Sequence, residues 1–248
     1  MNYIKRKSNK FICEYTYPNS VIRSEYIRGG YSPELDRDEK GELCLYLQNG
    51  KVITYKMYID YTYVRQFGIT VDTAALMFFI PSWEGNLKAY SLRTGKIWWR
   101  SNVKRAGKVF HYMASVICLS NYNTLYKLNI ENGKVTAKKK VTNVFDISYS
   151  YLLCLSPAGK WEIILKDDLS VIQSFEDKDM AALPLADVFV YESSLYLLES
   201  GCDDLGYIQH RIKKHSLNLD NRVTEDNMAK EISESRVETI RKLYGNII

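Results

Sequence analysis

Three histidines, five cysteines and two pairs of adjacent aspartates are the residues of this 248-residue chain best suited to chemistry. Their spacing argues against most of it. His111, His210 and His215 form no HxxxH or HExxH pair, the spacing that sets two imidazoles on one helix face for a metal. Cys13, Cys44, Cys118, Cys154 and Cys202 form no CxxC pair and are odd in number, which disfavours a zinc knuckle or a disulfide framework. Asp167-Asp168 and Asp203-Asp204 are neighbouring carboxylates. Glycoside hydrolysis needs two carboxyls roughly 5–10 Å apart across a bond. Adjacent turn residues point apart instead, and aspartate is an ordinary turn residue. Asp36-Arg37-Asp38 opens like a calcium loop, but Lys40 stands at its fifth position and Leu47 where a bidentate glutamate is required. No GxSxG, Walker or GxGxxG element is present. No catalytic residue, metal ligand or cofactor is expected, and the chain reads as a non-enzyme.

What remains is binding chemistry. Trp83 and Glu84 lie in the turn Ser82-Trp83-Glu84-Gly85, and Tyr122 lies in the turn Asn121-Tyr122-Asn123. Lys104 and Arg105 follow a strand, and Asp203 and Asp204 occupy the long turn between Gly201 and Gly206. Large aromatics in turns, mixed with both signs of charge, are the side chains that anchor protein partners. The competing reading of Trp83 is that it folds back over its own sheet.

These turns are set by a repeat. Residues 87–96 and 125–134 align without a gap at a shift of 38, with Leu87 on Leu125, Gly95 on Gly133 and Lys96 on Lys134. Apolar triplets recur at Leu43-Cys44-Leu45, Phe78-Phe79-Ile80, Ile117-Cys118-Leu119, Leu153-Cys154-Leu155 and Tyr196-Leu197-Leu198, with starts 35, 39, 36 and 43 residues apart. Each is followed by a turn signal and a second strand. A period of about 40 residues built this way is the signature of a propeller blade. Stacked blades cover each other's faces, which accounts for unbroken apolar runs such as Ala74 to Ile80. Cys44, Cys118 and Cys154 share the place that Phe79 and Leu197 fill elsewhere, so they read as core residues. The fold expected is an all-β propeller of about five or six four-stranded blades over residues 1–224. Two N-terminal strands within 11–28 would close the ring, and 29–41 would be a polar connector. A helix is expected over 225–245, capped by Thr224 and stopped by Gly245.

Residues 89–99, Ala-Tyr-Ser-Leu-Arg-Thr-Gly-Lys-Ile-Trp-Trp, resemble the repeat of the pyrroloquinoline-quinone-type propellers, Ala-x-Asp-x-x-Thr-Gly-Lys-x-x-Trp. Ala89, Thr94, Gly95, Lys96 and Trp99 match, and Ser91 replaces the Asp. Asn132-Gly133-Lys134 is a weaker copy without the Trp. The resemblance implies a short, non-enzymatic member of this general blade type. It implies no quinone, since the chain is too short for eight blades and lacks a vicinal cysteine pair.

Net charge is +5, from 34 basic and 29 acidic residues, which demands no polyanionic partner. Lys138-Lys139-Lys140 reads as edge protection on an outer strand, so nucleic acid is not the favoured partner. The basic start Met1 to Lys7 is followed by no apolar stretch of signal-peptide type, and no apolar run reaches bilayer length. A cytoplasmic location and no membrane partner are expected. The function expected is non-catalytic protein binding, in its narrowest form a bacterial immunity protein that neutralises a toxin. A carbohydrate-binding or glycoside-acting propeller and a nucleic-acid-associated scaffold are the alternatives.

Overall fold

The computed structural model describes residues 3–7, 10–14, 21–29, 31–32, 37–38, 40–59, 68–82, 85–147, 150–176, 185–191, 194–202 and 208–217. Among these residues the chain is all-β and contains no helix. The helix expected at 225–245 lies outside them.

The first sheet begins with β1 (Tyr3–Lys7), β2 (Lys10–Glu14) and β3 (Val21–Ile27). A two-stranded ribbon of β4 (Tyr31–Ser32) and β5 (Arg37–Asp38) follows, inside the stretch read as a plain connector. β6 (Gly41–Leu47) and β7 (Val52–Met57) complete a five-stranded sheet in the order β1-β2-β3-β6-β7. The N-terminal strands read as ring-closing thus pair with each other, and β3 pairs with β6.

Three four-stranded antiparallel sheets follow in chain order. The second sheet holds β8 (Thr70–Asp72), β9 (Met77–Ile80), β10 (Asn86–Ser91) and β11 (Ile97–Lys104). The third holds β12 (Ala106–Tyr112), β13 (Ser115–Ser120), β14 (Thr124–Asn129) and β15 (Val135–Lys140). The fourth holds β16 (Asn143–Asp146), β17 (Tyr151–Leu155), β18 (Trp161–Leu165) and β19 (Val171–Phe175). A three-stranded sheet of β20 (Leu185–Tyr191), β21 (Ser194–Cys202) and β22 (Ile208–Ser216) ends the described chain.

The chain divides into two compact units, Met1–Lys139 and Lys140–Ile248. In the first, the alternation of β9 serves two cores. Phe78 and Ile80 pack with Leu43, Leu45 and Tyr55 of the first sheet. Met77 and Phe79 point the other way, onto Val116, Cys118 and Leu128 of the third. A central strand covered on both faces carries apolar residues at every position, where a half-wet strand would alternate. The outermost strand β15 is wet, with only partial burial at Ala137 and Lys139. In the second unit, Leu153 and Ile163 of the fourth sheet pack on Val188, Leu195 and Leu197 of the last.

One device recurs between successive sheets of the first unit. Trp99 of β11 donates its indole N–H to the Ile130 carbonyl at 2.7 Å, and its ring lies where a Cβ on Gly133 would sit. Tyr55 of β7 donates its hydroxyl to the Leu92 carbonyl and covers Gly95 in the same way. Burial pushes the Tyr55 hydroxyl up to about 12. Gly95 and Gly133 take φ of 68° and 70°, which opens the turn to the aromatic ring. Thr94 accepts the Lys96 amide at 3.3 Å and Asn132 accepts the Lys134 amide at 2.9 Å, fixing each turn. The Thr-Gly-Lys and Asn-Gly-Lys repeat is therefore the receptor for the preceding sheet's aromatic ring.

The second unit contains the same turn in other residues. Leu169 stands at φ 63° and its amide reaches the Leu165 carbonyl at 3.0 Å, as Gly95 reaches Ser91 and Gly133 reaches Asn129. Asp168 accepts the Ser170 amide at 2.9 Å. Leu169 itself is buried, so its side chain fills space that glycine leaves open.

Inner strands are joined by polar contacts. Thr70 on β8 donates to the Val109 carbonyl on β12 at 2.8 Å. Asp72 Oδ2 lies 2.8 Å from His111 Nε2, while Oδ1 accepts the amides of Ala74 and Ala75 at 3.0 Å. The Met113 carbonyl is 2.7 Å from the same Nε2, so this nitrogen sits between two acceptors and carries its proton. Burial pushes the Asp72 carboxyl up, but the His111 hydrogen bond and the two amides together hold it below the usual aspartate value. A carboxyl depressed on folding contributes stability above its unfolded value and loses it as pH falls through the folded one. Asp72→Asn should cost about 1–2 kcal/mol at neutral pH. It should also flatten the acid side of the stability curve below about pH 4. Urea midpoints measured from pH 7 to pH 2 check both.

Cys118 and Cys154 are fully buried core residues. Burial pushes the Cys118 thiol up to about 12, which keeps it protonated and unreactive. Cys44 departs from the equivalence read in the repeat. It is half-buried on β6, and its Sγ lies 3.5 Å from both Glu42 Oε1 and Thr54 Oγ1. Its strand lies beside β7, the last described strand of the first sheet, so one face of the thiol meets polar groups.

Candidate functional site

Three chain segments meet at one end of the second and third sheets. They are the β9–β10 turn, the β11–β12 connection and the β13–β14 turn. The Ser82 amide donates to the Ala106 carbonyl at 3.1 Å, and the Arg105 amide donates to the Gly85 carbonyl at 3.2 Å. The Asn121 amide donates to the Arg105 carbonyl at 3.0 Å, and the Ser120 hydroxyl donates to the Lys104 carbonyl at 3.0 Å. The connection is thus stitched to both turns through its own backbone, with Lys104 exposed and Arg105 half-buried.

Local sequence explains the shape. Arg105 takes φ 54°, a left-handed residue that reverses the chain between two strands lying in different sheets. Ser82 accepts the Gly85 amide at 3.1 Å and closes the first turn. Ser120 accepts the Tyr122 amide at 3.2 Å, Thr124 donates to the Tyr122 carbonyl at 3.2 Å, and Asn123 takes the left-handed φ that asparagine tolerates. Tyr122 is clamped by these bonds at its backbone while its side chain remains 54% exposed. The Arg105 guanidinium carbon lies 5.3 Å from the Tyr122 ring centroid, a cation–π arrangement that orders both side chains.

Of the residues singled out in the sequence, the structure brings together Lys104, Arg105 and Tyr122. Trp83 and Glu84 lie outside the described residues, between Ser82 and Gly85 of the turn bonded to this cluster. Asp203 and Asp204 also lie outside them. Sequence reasoning missed Met113, which is exposed at φ 48° in the β12–β13 turn at the other end of the third sheet. It also missed Trp98, exposed beside the buried Trp99. Strand alternation could have separated the two tryptophans, since neighbours on a strand face opposite sides.

Chemically, the cluster offers an aromatic face, two cations and backbone fixed by hydrogen bonds. Among the described residues, no three His, Cys, Asp or Glu side chains converge to hold a metal ion. Asp168, considered above as half of a carboxylate pair, accepts a turn amide. No described helix is long and apolar enough to cross a membrane.

No protein-family model matches the chain, and no curated protein sequence matches it. Among solved structures it is similar to BamB from Moraxella catarrhalis, at 13% identity and TM-score 0.47 over 86% of this chain. The match spans 64% of the BamB chain. It is also similar to the computationally designed Ika8 protein, at 8% identity and TM-score 0.46 over 87% of this chain and 74% of that one. The designed Ika4 protein matches at 8% identity and TM-score 0.40, over 55% of this chain and 84% of Ika4.

Proposed function

We propose that this chain is a non-catalytic protein-binding module of the propeller type, with the blade number that the sequence repeat implies. The observation that carries the reading is the three-segment cluster around Arg105 and Tyr122. Its backbone is held by hydrogen bonds from two sheets, Tyr122 and Lys104 are exposed, and Arg105 is half-buried beside the tyrosine ring. A surface ordered before contact loses little entropy on binding, and tyrosine and arginine are the side chains that most often dominate protein interfaces. Its narrowest form is an immunity-type protein that covers a toxin's active site, a task that calls for a rigid platform with aromatic and charged anchors.

Capture from cells of the source organism tests this. Wild-type protein should retain a discrete protein partner, and Tyr122→Ala should weaken that partner about 30-fold, as loss of a hot-spot residue does. The variant's thermal midpoint should stay at the wild-type value, because the side chain it removes is more than half exposed. Equal retention by Tyr122→Ala, or no protein retained by either form, would contradict the proposal.

A further inference from the structure

We infer that the second sheet carries a separate binding track for single-stranded nucleic acid, on β11 and the turn that precedes it. The track lies at the opposite end of the sheet from Arg105 and Tyr122. Along β11, Trp99, Ser101 and Val103 are buried, while Trp98 and Arg100 project from the other face. Trp98 is 58% exposed, the second most exposed large apolar side chain among the described residues. An open groove of about 430 Å³ runs beside it, lined by Ser91, Arg93, Thr94, Lys96, Ile97 and Trp98.

Register makes the cluster denser than sequence suggests. Lys88 on β10 is the direct cross-strand partner of Arg100, so two cations share one face of the ladder. Like charges directly opposite are destabilising, and a bound anion between them removes the penalty. Arg93 and Lys96 add two more cations at the turn, and none of the four is ion-paired among the described residues. Neither β11 nor the turn before it contains a carboxylate. Charges on the last strand of a sheet also discourage unwanted strand pairing. That role does not call for an exposed tryptophan, nor for two cations directly opposed.

An exposed aromatic ring set among cations matches single-stranded nucleic acid, which offers phosphates to the charges and a base face to the ring. Duplex nucleic acid would satisfy the cations and leave Trp98 idle. An acidic peptide would do the same.

Fluorescence anisotropy of the full-length protein with a labelled 20-nucleotide oligo-dT is the test. Four phosphate contacts predict that log K falls against log salt with a slope of about −3, at roughly 0.7 per contact on a single strand. Arg93→Gln and Arg100→Gln should each reduce the slope by about 0.7. Trp98→Ala should weaken binding at least about 5-fold with the slope unchanged, and Trp98→Phe should retain most of it. Tyr122→Ala should leave oligo-dT binding as it is, which separates this track from the protein-binding cluster. No binding at micromolar protein would overturn the inference. So would duplex or poly-glutamate binding as tight as oligo-dT, or a Trp98→Ala variant that binds like wild type.

Discussion

Trp99→Ala should cost about 3–5 kcal/mol, the range for truncating a large buried aromatic whose cavity cannot fully collapse. The position earns the upper part of that range for reasons visible in the fold. The ring is 5.8 Å from Phe79 and lies across the Gly133 turn, so its loss opens a space between two sheets that are otherwise held by side-chain interdigitation. It also strips the Ile130 carbonyl of its donor. Trp99→Phe removes the hydrogen bond and one ring's worth of packing while keeping an aromatic in the core, so it should cost less than Trp99→Ala, about 2–3 kcal/mol. Guanidinium denaturation followed by circular dichroism will rank the two. A Trp99→Ala variant within about 1 kcal/mol of wild type would mean that the aromatic-to-turn contact contributes little to joining the sheets.

Gly133→Ala should be nearly as damaging despite adding a single methyl. A residue with a Cβ is strained at φ 70°, at a cost of roughly 1–2 kcal/mol. The new Cβ also collides with the Trp99 ring, which adds the overpacking cost of a filled core, roughly 1–3 kcal/mol. Gly50→Ala is the control, because Gly50 takes φ 81° with nothing near its missing Cβ, so only the backbone strain applies. The double variant Trp99→Ala, Gly133→Ala removes the collision, so its cost should fall short of the sum of the singles by at least about 1 kcal/mol. Additive costs would show that the ring and the turn do not meet as described.

These two residues also show how much of the fold was legible. Gly95 and Gly133 announced themselves because a glycine between a turn-forming residue and a lysine is a local signal. The third copy of the turn was silent. Leu169 adopts the same left-handed backbone with a side chain that ordinarily avoids it, and only the fold around it reveals the equivalence to Gly95. Apolar triplets located the central strands because both their faces are covered. They could not tell Cys44 from Cys118 and Cys154, since burial depends on which strands lie alongside, and β6 has a polar neighbour in β7. The extra N-terminal strand β1 and the β4–β5 ribbon lay in polar sequence with no repeat to mark them.

The site was half legible for a similar reason. Residue type in turns was enough to single out Tyr122, Lys104 and Arg105, and the backbone bonds between the two segments bring them together. The pairing of Lys88 with Arg100 depends on strand register. Two irregularities in the β10–β11 ladder shift that register, and no residue pattern declares them.

The most direct test of the central claim is covalent capture at the cluster itself. Placing a photoreactive residue by Tyr122→p-benzoylphenylalanine and irradiating source cells should yield one discrete protein adduct. The same residue at Val171, exposed on β19, should yield none. Adducts of equal yield from both positions, or from Val171 alone, would contradict the claim that the loops around Arg105 and Tyr122 are where this protein meets its partner.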